Sequence, residues 1–136
     1  MRAVCDPNIL ISALLSPRGA PGQVFGRWLS GDFELAVSDK LLDELDRALA
    51  YPKIRRHVDS AEAEQLVSLL RNGAILAADP STVARRSTDP GDDYLLALAE
   101  AERALLVSGD RHLLELAPAL PVVSARGFLE TLTPES

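Results

Sequence analysis

The sequence has a single cysteine, Cys5, so an internal disulfide cannot form and a cysteine-built zinc site is excluded. A reducing compartment fits that usage. No apolar run approaches the ~18 residues of a membrane span. The first residues lack the charged, apolar and small-residue regions of a secretion signal, so a cytoplasmic protein is expected. Lysine is scarce: Lys40 and Lys53 are the only two, and the remaining basic side chains are Arg, whose planar fork suits bidentate phosphate contacts. Histidine is limited to His57 and His112, both in Arg-rich stretches without a second His at ligand spacing, and both read as surface residues.

Positive charge is also in deficit, with a formal net charge of −6. That excludes a protein holding nucleic acid by charge alone, because such binding runs on Lys and Arg displacing counterions from phosphates. It leaves nucleic acid open as a substrate, since carboxylates that converge on divalent cations are neutralised there and the local potential changes sign. What the chain does have is 47% apolar and 25% charged residues in a length of 136. This is ordinary for a globular protein large enough to bury a core, and residues 1–136 are expected to form one domain.

Short apolar runs alternate with longer amphipathic ones. Residues 3–5 read as a strand, 9–15 and 23–29 as helical segments, and 33–37 (FELAV) as a second strand. A helix over 39–50 has Ser38 as its N-cap and an apolar stripe of Leu41, Leu42, Leu45, Ala48 and Leu49. Helix 61–71 ends at Asn72-Gly73, and 74–78 (AILAA) reads as a third strand. Helix 92–103, strand 104–107 and a short strand 120–123 follow. Strands separated by helices imply an α/β fold, a three-layer α/β/α sandwich around a mostly parallel sheet of about five strands. The stretch Val24, Phe25, Trp28, Leu29 reads as core or as a dimer face.

In open parallel sheets, ligands bind at the carboxyl ends of the strands where the strand order reverses. Asp6 follows the first strand, and in LLVSGDRHLL Asp110 follows the fourth. In TDPGDDYLLALAEA, Asp89, Asp92 and Asp93 cluster at a helix start. Glu44 lies on the flank of the apolar stripe of helix 39–50, where it can face inward. Each acid has a plainer reading as well. Asp6-Pro7 and Asp89-Pro90 are good helix starts, Asp92 and Asp93 suit a helix dipole, Asp110 suits a turn after Gly109, and Glu44 suits a solvated pair with Arg47. Those readings do not explain why the acids fall at one end of the sheet.

Carboxylates gathered without Lys or His raise one another's pKa or take up a counterion. All-oxygen ligands select Mg²⁺ or Mn²⁺ over zinc, and such ions act well on phosphate esters, so phosphodiester hydrolysis is the chemistry expected. A phosphoacceptor signalling domain also gathers acids at strand ends, but it needs an acidic pair after the first strand and a Lys near the site. For substrate contacts, YPKIRRH combines Tyr51 with Lys53, Arg55 and Arg56, which together suit a single-stranded phosphate backbone and a stacked base. The same stretch reads as a solvated connection between helices. Arg85, Arg86 and Arg111 are further candidates, Arg111 by adjacency to Asp110.

Taken together, CDPNILISALL, VSDKLLDELDRAL, DPGDDYLLALA and LLVSGDRHLL resemble, in order, the four motifs of the PIN-domain family. The resemblance covers nearly the whole chain. It implies a metal-dependent endoribonuclease acting on RNA, frequently the toxin of a VapC-like pair with an antitoxin partner, and a homodimer. By motif it implies that Asp6, Glu44, Asp93 and Asp110 are the catalytic carboxylates and ligate Mg²⁺ or Mn²⁺, with Asp92 as an auxiliary ligand. Asn8 and Ser108 are implied to orient them. Pro7 stands where the family more often has Thr, and Cys5 where an aliphatic residue is usual. A catalytically silent PIN scaffold that binds RNA or a protein would keep the fold and could lose an acid; all four are present.

Overall fold

The computed structural model describes residues 1–87 and 89–132. Five strands form one sheet: β1 (Arg2–Cys5), β2 (Glu34–Val37), β3 (Ile75–Leu76), β4 (Leu105–Val107) and β5 (Val122–Val123). Their order is β3-β2-β1-β4-β5 and every pairing is parallel. Ala3 pairs with Leu35 on one side and Leu105 on the other, and Cys5 pairs with Val107. Ala3, Val4 and Cys5 are buried. A central strand covered on both faces reads as a continuous apolar run without alternation, which is what these residues supply.

Among the described residues, eight helices flank the sheet and complete the three-layer α/β arrangement: α1 (Pro7–Leu15), α2 (Ala20–Leu29), α3 (Asp39–Leu49), α4 (Pro52–Arg55), α5 (Ser60–Gly73), α6 (Pro90–Ala101), α7 (Arg111–Leu114) and α8 (Ala125–Thr131). Local chemistry sets their starts. Asp6 caps α1 with Pro7 in the first turn, Ser38 caps α3 by accepting from Leu41 N, and Asp59 with Glu62 forms a reciprocal capping box on α5. Helix α6 begins at Pro90 and ends at Ala101, two residues earlier at each end than its stripe predicts. Arg103 there takes a φ of 53°, and Ala104 N reaches back to Ala99 O.

Helices α7 and α8 are not predicted by periodicity, because they are too short to show it, and α4 replaces the loop expected at 52–55. Strand β3 shrinks from the expected 74–78 to two residues. Ala77 N still reaches Val37 O at 2.7 Å, after which the chain leaves the edge of the sheet. Val24 and Trp28 belong to the core, whereas Leu29 is 57% exposed. No helix among the described residues is long and apolar enough to cross a membrane.

Candidate active site

Strand β1 is the point from which the chain first builds towards β2 and β3 and later returns to place β4 and β5 on the other side. The gap at the carboxyl ends of β1 and β4 is therefore the switch point where open parallel sheets bind ligands. Asp6 leaves β1 there, its own N–H donating to Val107 O of β4 at 2.9 Å. Its carboxylate is held at both oxygens: Asn8 N–H donates to Oδ1 and Ser108 Oγ donates to Oδ2, each at 3.0 Å. Ser108 is fully buried, and the same hydroxyl oxygen accepts from Asp110 N at 3.0 Å. One serine thus sets both strand-end acids. Asn8 acts through its backbone, its side chain being exposed. Asp110 caps α7 through His112 N.

Glu44 comes inward from the flank of α3, and the buried Tyr94 donates its hydroxyl to Glu44 Oε2 across fifty positions of sequence. The ammonium of Lys40 lies 4.5 Å from the Tyr94 ring centroid. Burial and the neighbouring carboxylates push the Tyr94 phenol pKa up, so it remains a donor. Nothing in the sequence marks Tyr94, which is one of several apolar-compatible positions on a helix.

The Asp92-Asp93 doublet divides differently from the expectation. Asp92 lines the cavity with Asp6, Glu44, Asp89 and Asp110. Asp93 is buried away from that lining, and its Oδ1 accepts from Arg86 N at 3.0 Å, Ser87 N at 2.8 Å and Ser87 Oγ at 2.8 Å. Burial alone would raise its pKa. These hydrogen bonds, with the charge of Arg85, outweigh burial and hold it below the usual carboxylate range. Of the pair it is Asp92 that faces the cavity, and Asp93 braces the segment leading into α6. Asp89 caps α6 through Gly91 N at 2.9 Å and also reaches the cavity, which its capping role did not predict.

The cavity has a volume of about 360 Å³, and Pro7, Asn8, Arg47, Ala48 and Tyr51 complete its wall. Burial pushes Asp6 above the ordinary carboxylate range. The hydrogen bonds from Asn8 and Ser108 offset part of that rise, and the charges of Glu44 and Asp110 add to it. Asp92 is pushed up to about 6, first by burial and then by Asp89, Asp6, Asp110 and Glu44. Among the described residues no three acids stand close enough to ligate one ion as placed. A divalent cation would offset the like charges that raise Asp6 and Asp92. The donors lining the cavity are all oxygen, a set that fits Mg²⁺ or Mn²⁺.

The predicted basic contacts are dispersed. Arg55 is engaged with Leu49 O at 3.3 Å and Ser60 Oγ at 2.5 Å, which makes it a brace between α3 and α5. Arg86 pairs with Glu100. Lys53, Arg56 and Arg111 are exposed and lie outside the cavity lining, whereas Arg47 is part of it. His57 and His112 are exposed.

The fold and the acids define a class: an open parallel α/β protein with a carboxylate site at the switch point of its sheet. A family model for the PIN domain matches residues 2–112. The chain belongs to the PIN-domain family, whose members are generally nucleases and typically use divalent metal ions. Among curated proteins it is similar to the uncharacterised protein MJ1680 of Methanocaldococcus jannaschii, 23% identical over 116 residues, covering 85% of this chain and 75% of that one. Among solved structures it resembles PAE2754 of Pyrobaculum aerophilum, with a TM-score of 0.65, 19% identity and coverage of 96% and 88%. It also resembles a chain of VapBC2 from Rickettsia felis, solved bound to a DNA fragment from their promoter, with a TM-score of 0.62, 14% identity and coverage of 91% and 98%.

Proposed function

We propose that the protein is a metal-dependent endoribonuclease that hydrolyses phosphodiester bonds of single-stranded RNA, and that it is the toxin of a type II toxin–antitoxin pair. The observation that carries the nuclease reading is the convergence of Asp6, Glu44, Asp92 and Asp110, from four separate segments, on one cavity at the switch point. These four residues would hold Mg²⁺ or Mn²⁺. When bound, such an ion supplies charge compensation for the attacking and leaving oxygens and a water of lowered pKa. Ser108 orients Asp6 and Asp110, Asn8 fixes Asp6 through its N–H, and Tyr94 fixes Glu44.

The protein's own nucleophiles are poorly suited to the task. The Cys5 thiol is pushed up to about 12 by burial and by Asp6, and neither histidine lines the cavity. Water is left to attack phosphorus in line, giving a 5′-phosphate and a 3′-hydroxyl. Activity on single-stranded RNA should vanish in EDTA and return with Mn²⁺ or Mg²⁺. Cutting that persists in EDTA, or products ending in a 2′,3′-cyclic phosphate, would overturn the mechanism. The toxin role is supported by the likeness in fold to a VapBC2 chain. A short neighbouring reading frame encoding a DNA-binding protein that co-purifies with this chain and silences it is the result expected; silence in its absence tells against the role.

The raised pKa of Asp92 makes metal binding pH-dependent. In the metal-free protein a carboxyl with a pKa of about 6 is mostly protonated at pH 5 and mostly ionised at pH 7. Since Asp92 would have to lose that proton to serve as a ligand, apparent Mn²⁺ affinity should rise with pH, by up to about tenfold from this group over that interval. Calorimetric titration at both pH values, in buffers of different ionisation enthalpy, reads the affinity and the proton released. An affinity that is flat across the interval would remove Asp92 from the ligand set.

A further inference from the structure

Two side chains on the cavity wall have no task in the hydrolytic reading. Arg47 lies in the last turn of α3, and Tyr51 lies just past its end as the residue that caps α4. Among the described residues, Arg47 is the only base and Tyr51 the only aromatic ring in the lining. Tyr51 is 61% exposed, so the face of its ring is open to a ligand entering the cavity. Arg47 forms no ion pair among the described residues, although five acids share its cavity.

The backbone that carries the ring is fixed. Tyr51 N donates to Ala48 O at 3.2 Å, and its own carbonyl accepts from Ile54 N at 3.0 Å and Arg55 N at 2.9 Å. Arg55 then ties this elbow to Leu49 O and Ser60. Tyr51 is therefore presented from a braced junction between two helices. A guanidinium and an aromatic face on one wall, beside acids that would hold the ions, match the two recurring parts of a nucleotide: an anionic phosphate and a flat base.

We infer that Arg47 and Tyr51 form a nucleotide subsite for single-stranded RNA, with the guanidinium on the phosphate next to the scissile one and the ring stacked on an adjacent base. The position of the scissile phosphate rests on the nuclease reading above. In a duplex the bases stack on one another and offer the ring no face, so this subsite selects for single strands. It also gives an approaching polyanion one cation on a wall that is otherwise acidic.

The test is binding of a labelled single-stranded RNA oligonucleotide, followed by anisotropy in Mg²⁺ on the Asp110→Asn background, which slows cutting. Tyr51→Ala should weaken binding about ten- to a hundredfold, and Tyr51→Trp should restore most of it, because stacking requires a ring and not a hydroxyl. Arg47→Ala should weaken binding and make log K against log salt shallower by about 0.7, the share of one phosphate contact on a single strand. Removing the base at one nucleotide should cost the parent protein affinity and cost Tyr51→Ala nothing. Affinity of Tyr51→Ala within twofold of the parent, with an unchanged base-removal profile, would overturn the subsite. If the unmutated protein binds through these residues and never cuts, hydrolysis fails and the subsite stands. If it cuts while Tyr51→Ala binds normally, the subsite fails alone, and a protein that binds no single-stranded RNA removes both.

Discussion

Asp6→Asn and Asp110→Asn should each lower RNA cleavage by roughly three orders of magnitude or more, equivalent to about 4 kcal/mol of transition-state stabilisation, while leaving the metal-free fold intact. The substitution is chosen to separate charge from capping. Asp6 accepts from Asn8 N on Oδ1, and Asp110 accepts from His112 N on its own Oδ1. An Asn carbonyl oxygen makes the same bond and is as good an N-cap. At the other oxygen of Asp6 the amide nitrogen reverses the bond, donating to Ser108 Oγ where Oδ2 accepted from it, and negative charge is lost at a place where burial and neighbouring acids already raise the pKa of Asp6.

Removing a charge that its surroundings disfavour should leave the metal-free melting temperature of Asp6→Asn level or higher. The stabilisation by Mn²⁺ should disappear in the same variant, because it comes from selective binding to the folded state. Thermal melts with and without Mn²⁺, beside single-turnover cleavage rates, read both effects. A large drop in metal-free stability with cleavage preserved would make Asp6 a helix cap and nothing more.

The parts of the site legible in the sequence are those where one local rule decides position. Asp6 directly follows β1, and Asp110 follows β4 after the short Ser108-Gly109 step; the two strands neighbour each other in the sheet, so their ends place both acids at the switch point. Glu44 is placed by the stripe of α3, whose buried Leu41, Leu42 and Leu45 fix which flank turns inward. Residues whose role is set by partners without periodicity were not legible. Tyr94 meets Glu44 only because α6 and α3 converge, and Arg55 is taken up by a carbonyl and a hydroxyl that no spacing predicts. The short helices α4, α7 and α8 share this limit. Four to seven residues make one or two turns, and a helical period needs more to show.

The Asp92-Asp93 doublet is the clearest case. Neighbouring positions on a helix point about 100° apart, so only one of the pair can look into the cavity, and the choice depends on what lies against the other. Here Arg86 and Ser87 direct three hydrogen-bond donors at Asp93 Oδ1, and Asp92 is left facing the acids. Asp92→Asn should therefore abolish metal-dependent cleavage to the same extent as Asp6→Asn, with metal-free stability level or raised, since its carboxyl sits at a pKa of about 6. Asp93→Asn keeps an oxygen for the donors and should retain cleavage within several-fold at a cost of about 1 kcal/mol. Asp93→Ala leaves those donors unpaired and should cost about 2–4 kcal/mol. The sign of the pH dependence separates the two acids as well. The folded pKa of Asp93 is depressed, so its stabilisation is complete above the unfolded carboxylate value and fades as pH falls through the folded one. Asp92, with its pKa raised, favours the metal-free fold most when protonated, and that advantage fades as pH rises towards 6. Urea unfolding of both Asn variants and of Asp93→Ala, set beside their Mn²⁺-dependent cleavage rates, decides the assignment. If Asp93→Asn were inactive while Asp92→Asn cut normally, the roles would be reversed.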